Sequence, residues 1–231
     1  MNHLSRLTSQ QAGVAGAAGH VLAVPLGSTE QHGPHLPLTT DADIANALVT
    51  GLASGRADVI AAPVLPYGAS GEHEDFSGTL SIGEIALELL LVELGRSASL
   101  TYGRLLFVSA HGGNARAVRQ AVARLRSENR DVRAWSPDWR GDAHAGRVET
   151  SLMLHLAVER VQLERAIAGN ISPVAALMAP MRSGGVVAVS ENGVLGDPAG
   201  ASAAEGEQLL ATAIGELSDW VARWLRMEAT A

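Results

Sequence analysis

The sequence predicts an α/β fold in which helices cover a mostly parallel central sheet. Short apolar runs alternate with longer segments whose apolar residues recur every three or four positions, and this alternation is typical of parallel strands joined by helices. The 231 residues are 47% hydrophobic but only 3% aromatic, so aliphatic side chains must fill the core. Because no segment resembles a linker, we expect a single domain over residues 1–231.

The predicted elements follow in order along the chain. Strands are predicted at residues 21–26, 59–62, 105–109, 132–135 and 186–189. Helical spacing predicts helices over residues 41–53 and 82–94, and a third helix that Asn114 caps. A last helix begins at Ser202-Ala203-Ala204-Glu205, which has the sequence of a capping box. Glycines interrupt residues 1–20, and we expect this segment to be poorly ordered.

Composition excludes several classes of function. The chain has no cysteine, which excludes disulfides, thiolate nucleophiles and cysteine-held zinc. Its 17 basic residues are all arginine and its net charge is −7, which argues against a nucleic-acid surface. No stretch approaches the roughly 20 apolar residues that cross a bilayer, so we expect no membrane segment and a cytoplasmic location.

The most informative segment follows the first predicted strand. Glu30 and His32 are two residues apart, so both can face one ion from an extended segment, and Asp41 can return toward them. Such oxygen and nitrogen ligands suit zinc, manganese or iron. The alternative is that Glu30 and His32 are solvated loop residues and that Asp41 is a carboxylate at a helix N-terminus.

His111-Gly112-Gly113-Asn114 follows another predicted strand. Strand, histidine, two glycines and a helix cap would present an imidazole at the edge of the sheet. The same string resembles an esterase oxyanion segment or a phosphate-binding turn, but the chain has neither a G-x-S-x-G nucleophile elbow nor a Walker lysine. A structural histidine remains the third interpretation.

Two further loops carry titratable side chains. Residues 68–79 are polar and include His73, and they could form a solvated surface excursion or a wall facing the substrate. His144 and Glu149 lie at the start of another helix, where Glu149 could simply complement the helix dipole. Arg140 and Arg147 in the same loop could bind a product carboxylate or be surface charges.

Taken together, these motifs resemble the creatininase family of amidohydrolases. The resemblance rests on four motifs in order: Glu30-x-His32 with Asp41, Phe76-Ser77-Gly78-Thr79, His111-Gly112-Gly113-Asn114, and His144-Ala145-Gly146-x-x-Glu149-Thr150-Ser151. It covers nearly the whole chain, and it implies a three-layer α/β/α sandwich.

The resemblance also implies a site for two divalent metal ions, zinc, iron or manganese. Glu30 and His111 would hold one ion, His32 the other, and Asp41 would bridge them. Creatininase has a further glutamate two residues after the strand-end histidine, where this chain has Gly113. The second ion would then lack one protein ligand unless Glu149 or water replaces it, which argues against creatinine as the substrate.

The implied reaction is amide hydrolysis by a metal-activated water, with His144 or Glu149 as the catalytic group that protonates the leaving amine. Within the family the chain looks most like the member that releases a modified C-terminal dipeptide from a ribosomally made precursor peptide. Ring opening of the creatinine type and formamide deformylation are the alternatives within the family, and a non-catalytic phosphate- or nucleotide-binding module is the alternative outside it. The family also implies a homo-oligomer, a hexamer or similar assembly of dimers.

Overall fold

The centre of the protein is a four-stranded parallel sheet. The structure is a computed structural model that describes residues 2–228. The strands are β1 Val21–Leu26, β2 Val59–Ala61, β3 Arg104–Ser109 and β4 Asp131–Trp135. Their order is β2-β1-β3-β4. All six residues of β1 are buried, because β1 is an inner strand and parallel sheets are covered on both faces.

Helices connect the strands and cover the sheet. They are α1 Ser9–Ala17, α2 Thr40–Gly55, α3 Gly83–Ala98, α4 Ala115–Ser127, α5 Arg147–Leu156, α6 Val174–Gly184 and α7 Ala203–Glu228. Short 3₁₀ turns include Gly71–His73 and Gly112–Asn114.

Two apolar cores lie on opposite faces of the sheet. Val21 and Ala23 of β1 pack into a core that includes residues of α2, α5 and α7. Leu22 and Val24 point the other way, into a core that includes residues of α3 and α4. This alternation follows from the two-residue period of a strand, and it confirms the three-layer α/β/α sandwich.

The predicted strand at residues 186–189 is wrong. Val186–Ala188 form a 3₁₀ turn directly after α6 and Gly185, whose φ is +69°. The apolar run is explained by burial of Val186 in a small cluster with Leu177 and Leu195. A short apolar run does not distinguish a strand from a buried turn.

Two predicted helix caps also differ from the observed structure. Asn114 precedes α4 but makes no capping hydrogen bond; its side chain accepts from the backbone N–H of Ala69 and donates to the carbonyl of Gly27. Ser202 Oγ accepts from the backbone N–H of Glu205, at 3.2 Å, whereas the Glu205 carboxylate accepts from Ser151 Oγ. Asn114 therefore connects the loops that contain Gly27 and Ala69. Of the two hydrogen bonds of a capping box at Ser202, only the one accepted by Ser202 Oγ forms. In the N-terminal segment, α1 begins with an unpredicted capping box of Thr8 and Gln11.

The carboxyl ends of all four strands meet at one edge of the sheet, where ligands gather in folds of this kind. Each strand is followed there by one of the loops that the sequence singled out. Within residues 2–228, no helix combines the length and apolar character needed to span a bilayer.

Candidate metal centre

The loops after the strands bring a dense cluster of buried titratable side chains together. The most buried side chains of this cluster are each less than 10% exposed to solvent. They are Glu30, His32, Asp41, His73, His111 and His144. The rings of His32 and His144 lie 4.4 Å apart between centroids, and those of His73 and His144 lie 4.5 Å apart. Burying so many polar groups together is costly unless they are paired or coordinate a metal.

The first group with metal-ligand geometry is Glu30, Asp41 and His111. His111 Nδ1 lies 3.2 Å from Asp41 Oδ2, and His111 Nε2 lies 3.2 Å from Glu30 Oε2. One ligand atom from each side chain lies within 4.8 Å of the others. Two carboxylates and one imidazole at this separation form a donor set that divalent cations accept.

The second group is His32, His144 and Glu149, whose ligand atoms also lie within 4.8 Å of one another, and Asp41 faces this group from beside His32. His32 Nε2 lies 3.3 Å from Asp41 Oδ1 and 4.0 Å from Glu149 Oε2, while its Nδ1 lies 3.1 Å from the carbonyl of Glu30 and can donate to it. A ligating histidine commonly has its other ring nitrogen fixed in this way. Glu149 also accepts from the backbone N–H of Ala145 at 2.6 Å, so its carboxylate is held toward the cluster.

Asp41 faces both groups. One carboxylate oxygen faces His32 and the other faces His111, the arrangement that a bridging carboxylate requires. The first turn of α2 supplies Asp41, and the helix dipole favours negative charge there.

Buried oxygen atoms at the cluster lack hydrogen-bond donors. Both carboxylate oxygens of Glu30 and Oδ2 of Asp41 accept no hydrogen bond from the described residues, although imidazole nitrogens lie 3.2 Å or slightly more away. Buried acceptors are nearly always satisfied. The donor set and these unsatisfied oxygens therefore fit bound cations.

The pKa shifts show how the cluster balances its charge without a metal ion. Burial raises the pKa of Glu30 to about 7, only partly opposed by His111. Burial opposes the charged form of His32, but Asp41 and Glu149 raise its pKa to about 10. Burial likewise opposes the charged form of His111, yet Glu30 and Asp41 raise its pKa. Protonated imidazoles thus stand in for the positive charge of the ions.

His73 and His144 behave in the opposite way. Burial, followed by the nearby charge of His111, lowers the pKa of His73 to about 3. Burial, followed by His32 and His73, holds the pKa of His144 well below its ordinary value. Both rings are therefore neutral at neutral pH.

The sequence did not identify His73 and Gln31 as site residues. His73 is 3% exposed, and it forms a third group of metal-ligand geometry with Glu30 and His144. The loop at residues 68–79 is therefore no simple surface excursion. Thr79 of the same loop accepts from the backbone N–H of Gln31 at 3.1 Å, so the Phe76-Ser77-Gly78-Thr79 motif supports the segment that carries Glu30 and His32.

Gly113 has no room for a side chain. A Cβ atom there would lie 2.3 Å from the carbonyl oxygen of Ala69, 2.4 Å from His111 Nε2 and 2.5 Å from Glu72 Oε1. Glu72 Oε1 in turn lies 3.7 Å from His111 Nε2. The Glu72 carboxylate therefore lies in the space that a longer side chain at position 113 would enter.

The cluster opens into a cavity of about 1400 Å³. Glu30, Asp41, His111, His144 and Glu149 contribute to its wall, which also includes Trp139, Arg116, Arg119 and Arg182. Arg147 is not free to meet a substrate, because its guanidinium pairs with Glu205 at 2.9 Å. Arg140 is not among the lining residues.

Comparisons with known proteins identify the family. The family described as creatinine amidohydrolase matches residues 5–221. A protein of Mycolicibacterium smegmatis named mycofactocin precursor peptide peptidase is 52% identical over 213 residues, covering 88% of this chain and 85% of that protein. Its namesake in Mycobacterium tuberculosis is 49% identical over 215 residues, with the same coverage.

Solved structures share the fold. The crystal structure of a creatinine amidohydrolase superposes with a TM-score of 0.85 at 24% identity, covering 96% of this chain and 97% of that one. A structure described as "Creatininase Mn" gives 0.83 at 23% identity, with coverage of 96% and 98%. From the extent of the family match and the identity to these relatives, the chain belongs to the creatininase family.

Proposed function

We propose that this chain is a metal-dependent peptidase that releases the modified C-terminal dipeptide from the mycofactocin precursor peptide. The observation that carries the proposal is a cluster of buried ligand groups, beside an open cavity, in which Asp41 faces both His32 and His111. The names of the relatives that are about 50% identical support the choice of substrate.

The contacts of Asp41 with His111 and His32, and of His32 with Glu149, support an assignment of the ligands. Glu30, Asp41 and His111 would hold one divalent ion, and His32, Asp41 and Glu149 the other. Glu149 thereby supplies the ligand that Gly113 cannot. When bound, two such ions polarise an amide carbonyl and lower the pKa of water. Zinc, iron and manganese all accept these donors.

His144 is the group that moves the proton. Its ring is neutral and its Nδ1 lies 3.7 Å from Glu30 Oε1, beside the cluster and at the wall of the cavity. A neutral imidazole can take a proton there and return it to the leaving amine. Glu149 is less suited to this task because it faces His32 and is assigned to the second ion.

The cavity favours a peptide over a small ring. Pockets for drug-sized ligands commonly enclose about 300–1000 Å³, whereas this cavity measures about 1400 Å³. Its arginines also offer positive charge to a carboxylate at a peptide C-terminus. These features favour the peptidase over creatinine-type ring opening or deformylation.

Mass spectrometry of a precursor-derived peptide incubated with metal-loaded enzyme tests the proposal, because the masses of the products identify the cleaved bond. Creatinine and a formamide serve as competing substrates. Hydrolysis of the small amides alone would replace the peptidase with another activity of the family. Elemental analysis that finds no bound metal, together with phosphate binding in chelator, would favour a non-catalytic module.

We also propose that the chain acts as one creatininase-like domain and assembles as a homo-oligomer, a hexamer or similar assembly of dimers. Apolar side chains on and beside α3 support a contact between copies: Ile85 is 87% exposed, Leu89 57% and Leu80 54%. Ile85 and Leu89 share a helix face because they are four residues apart. The proposed substrate is made on ribosomes, which supports our proposal of a cytoplasmic location.

A further inference from the structure

The group formed by Glu30, His73 and His144 poses a question that the proposed function leaves open. Its ligand atoms lie within 4.8 Å of one another, as do those of Glu30, Asp41 and His111 and those of His32, His144 and Glu149, so distance alone would allow a third ion. The answer depends on which nitrogen of each neutral imidazole carries the proton, because only an unprotonated nitrogen can bind a metal.

The orientation of the Gln31 side-chain amide is fixed by the backbone. Gln31 Oε1 accepts from the N–H of Gly33 at 2.8 Å, and Gln31 Nε2 donates to the carbonyl of Gly193 at 3.1 Å. A backbone N–H only donates and a carbonyl only accepts, so the flipped amide would lose both bonds. Gly193 can approach because it has no side chain: with φ at +79°, its Cβ would lie 2.1 Å from Gln31 Oε1.

This orientation determines the tautomer of His73. Gln31 Nε2 lies 2.7 Å from His73 Nδ1 and can only donate. His73 Nδ1 must therefore be the acceptor, and the ring proton must be on Nε2. That N–H lies 3.4 Å from Glu30 Oε1, on the side where an ion of the third group would have to bind.

The tautomer of His144 is determined by a main-chain carbonyl instead. His144 Nε2 lies 2.8 Å from the carbonyl oxygen of Gln31 and must donate to it, which leaves Nδ1 unprotonated beside Glu30. The second hydrogen of the Gln31 amide is already used on Gly193, so the 3.1 Å approach of Gln31 Nε2 to His144 Nε2 is a contact between two donors. The side chain of Gln31 thus determines the tautomer of His73, and the backbone carbonyl of Gln31 determines the tautomer of His144.

We propose that Gln31 is a positioning residue whose side chain holds His73 in the Nε2–H tautomer, so that the group of Glu30, His73 and His144 cannot bind a metal. The inference rests on the proposed metal-dependent function only for its consequence, which is where metal ions bind. The tautomer itself is a property of the metal-free protein.

Long-range proton–nitrogen NMR of metal-free protein with ¹⁵N-labelled histidine tests the proposal, with His73→Gln and His144→Gln spectra to assign the signals. In the unmodified chain both rings should carry the proton on Nε2. A proton on Nδ1 of His73 would overturn the proposal without reference to any variant or turnover.

Two variants separate the roles of side chain and backbone. Gln31→Leu removes the donor, so His73 should become a mixture of tautomers while His144, held by the main chain, keeps its own. Gln31→Glu offers an acceptor, so the proton of His73 should move to Nδ1, and elemental analysis should then find one more ion than in the unmodified chain. An unchanged His73 tautomer in folded Gln31→Leu protein would refute the assignment.

The result is independent of the proposed substrate. If the tautomers are as expected and no peptide is cleaved, the proposed function fails and the role of Gln31 stands. If the peptide is cleaved and His73 carries its proton on Nδ1, the reverse holds.

Discussion

Replacing Asp41 by Asn should weaken metal binding at both proposed sites, because one carboxylate faces both groups. The substitution keeps the shape of the side chain and removes its charge. Asp41 lies 3.3 Å from His32 Nε2 through one oxygen and 3.2 Å from His111 Nδ1 through the other. Two unit charges about 4 Å apart interact by about 4 kcal/mol at an effective dielectric constant of 20, which corresponds to about 1000-fold in affinity.

We therefore expect Asp41→Asn to lower the affinity for each ion by about 1000-fold or more, since each ion is divalent. The assay is elemental analysis after equilibration against buffered metal, together with titration calorimetry. Asp43→Asn is the matched control: Asp43 is in the same turn of α2, but it pairs with Arg160 at 2.7 Å outside the cluster, and its loss should leave the metal content unchanged. Two ions bound with unaltered affinity in Asp41→Asn would refute the bridging role.

Three other outcomes follow from the structure. Because the pKa of His32 is raised to about 10 and that of His111 is also raised, both rings are protonated at pH 7 without metal; binding must release protons, and metal affinity should rise with pH toward 10. Calorimetry in buffers of different ionisation enthalpy measures this release, and its absence would contradict the shifts. Arg119 lines the cavity and has no ion pair with any described residue, whereas Arg116 pairs with Glu84 at 3.2 Å; Arg119→Ala should raise KM about 2- to 5-fold, the size of an exposed ion pair, for a peptide with a free C-terminus. An amidated peptide should show no such change, and an equal rise for both peptides would exclude carboxylate recognition. Ile85→Arg should lower the molar mass in light scattering coupled to gel filtration, and an unchanged mass would place the interface elsewhere.

Much of the fold could be predicted because its signals are local. The bounds of β1 agree with the predicted run, since an inner parallel strand is apolar throughout. The turn at Val186–Ala188 could not be distinguished from a strand, because its burial depends on Leu177 and Leu195, which the sequence does not mark as neighbours.

The residues of the site likewise divide into those that the sequence predicts and those that only the structure shows. Glu30, His32, Asp41 and His111 could be proposed because they lie in recognisable motifs that follow predicted strands, and the structure brings all four together. Gln31 was overlooked because its partners His73 and His144 are 42 and 113 residues away. The role of a polar side chain between two histidines depends on which backbone groups it contacts, and that information exists only in the folded chain.

The contact between α5 and the start of α7 has a consequence for when the enzyme acquires metal. Glu205 accepts from Ser151 Oγ at 2.8 Å and pairs with Arg147, so the helix that carries Glu149 is anchored by the last helix of the described chain. A nascent chain on the ribosome has already made Glu30, His32, Asp41 and His111 before this support exists. We therefore expect full metal loading to follow completion of synthesis, and the released protein, rather than the growing chain, to compete for the cell's metal.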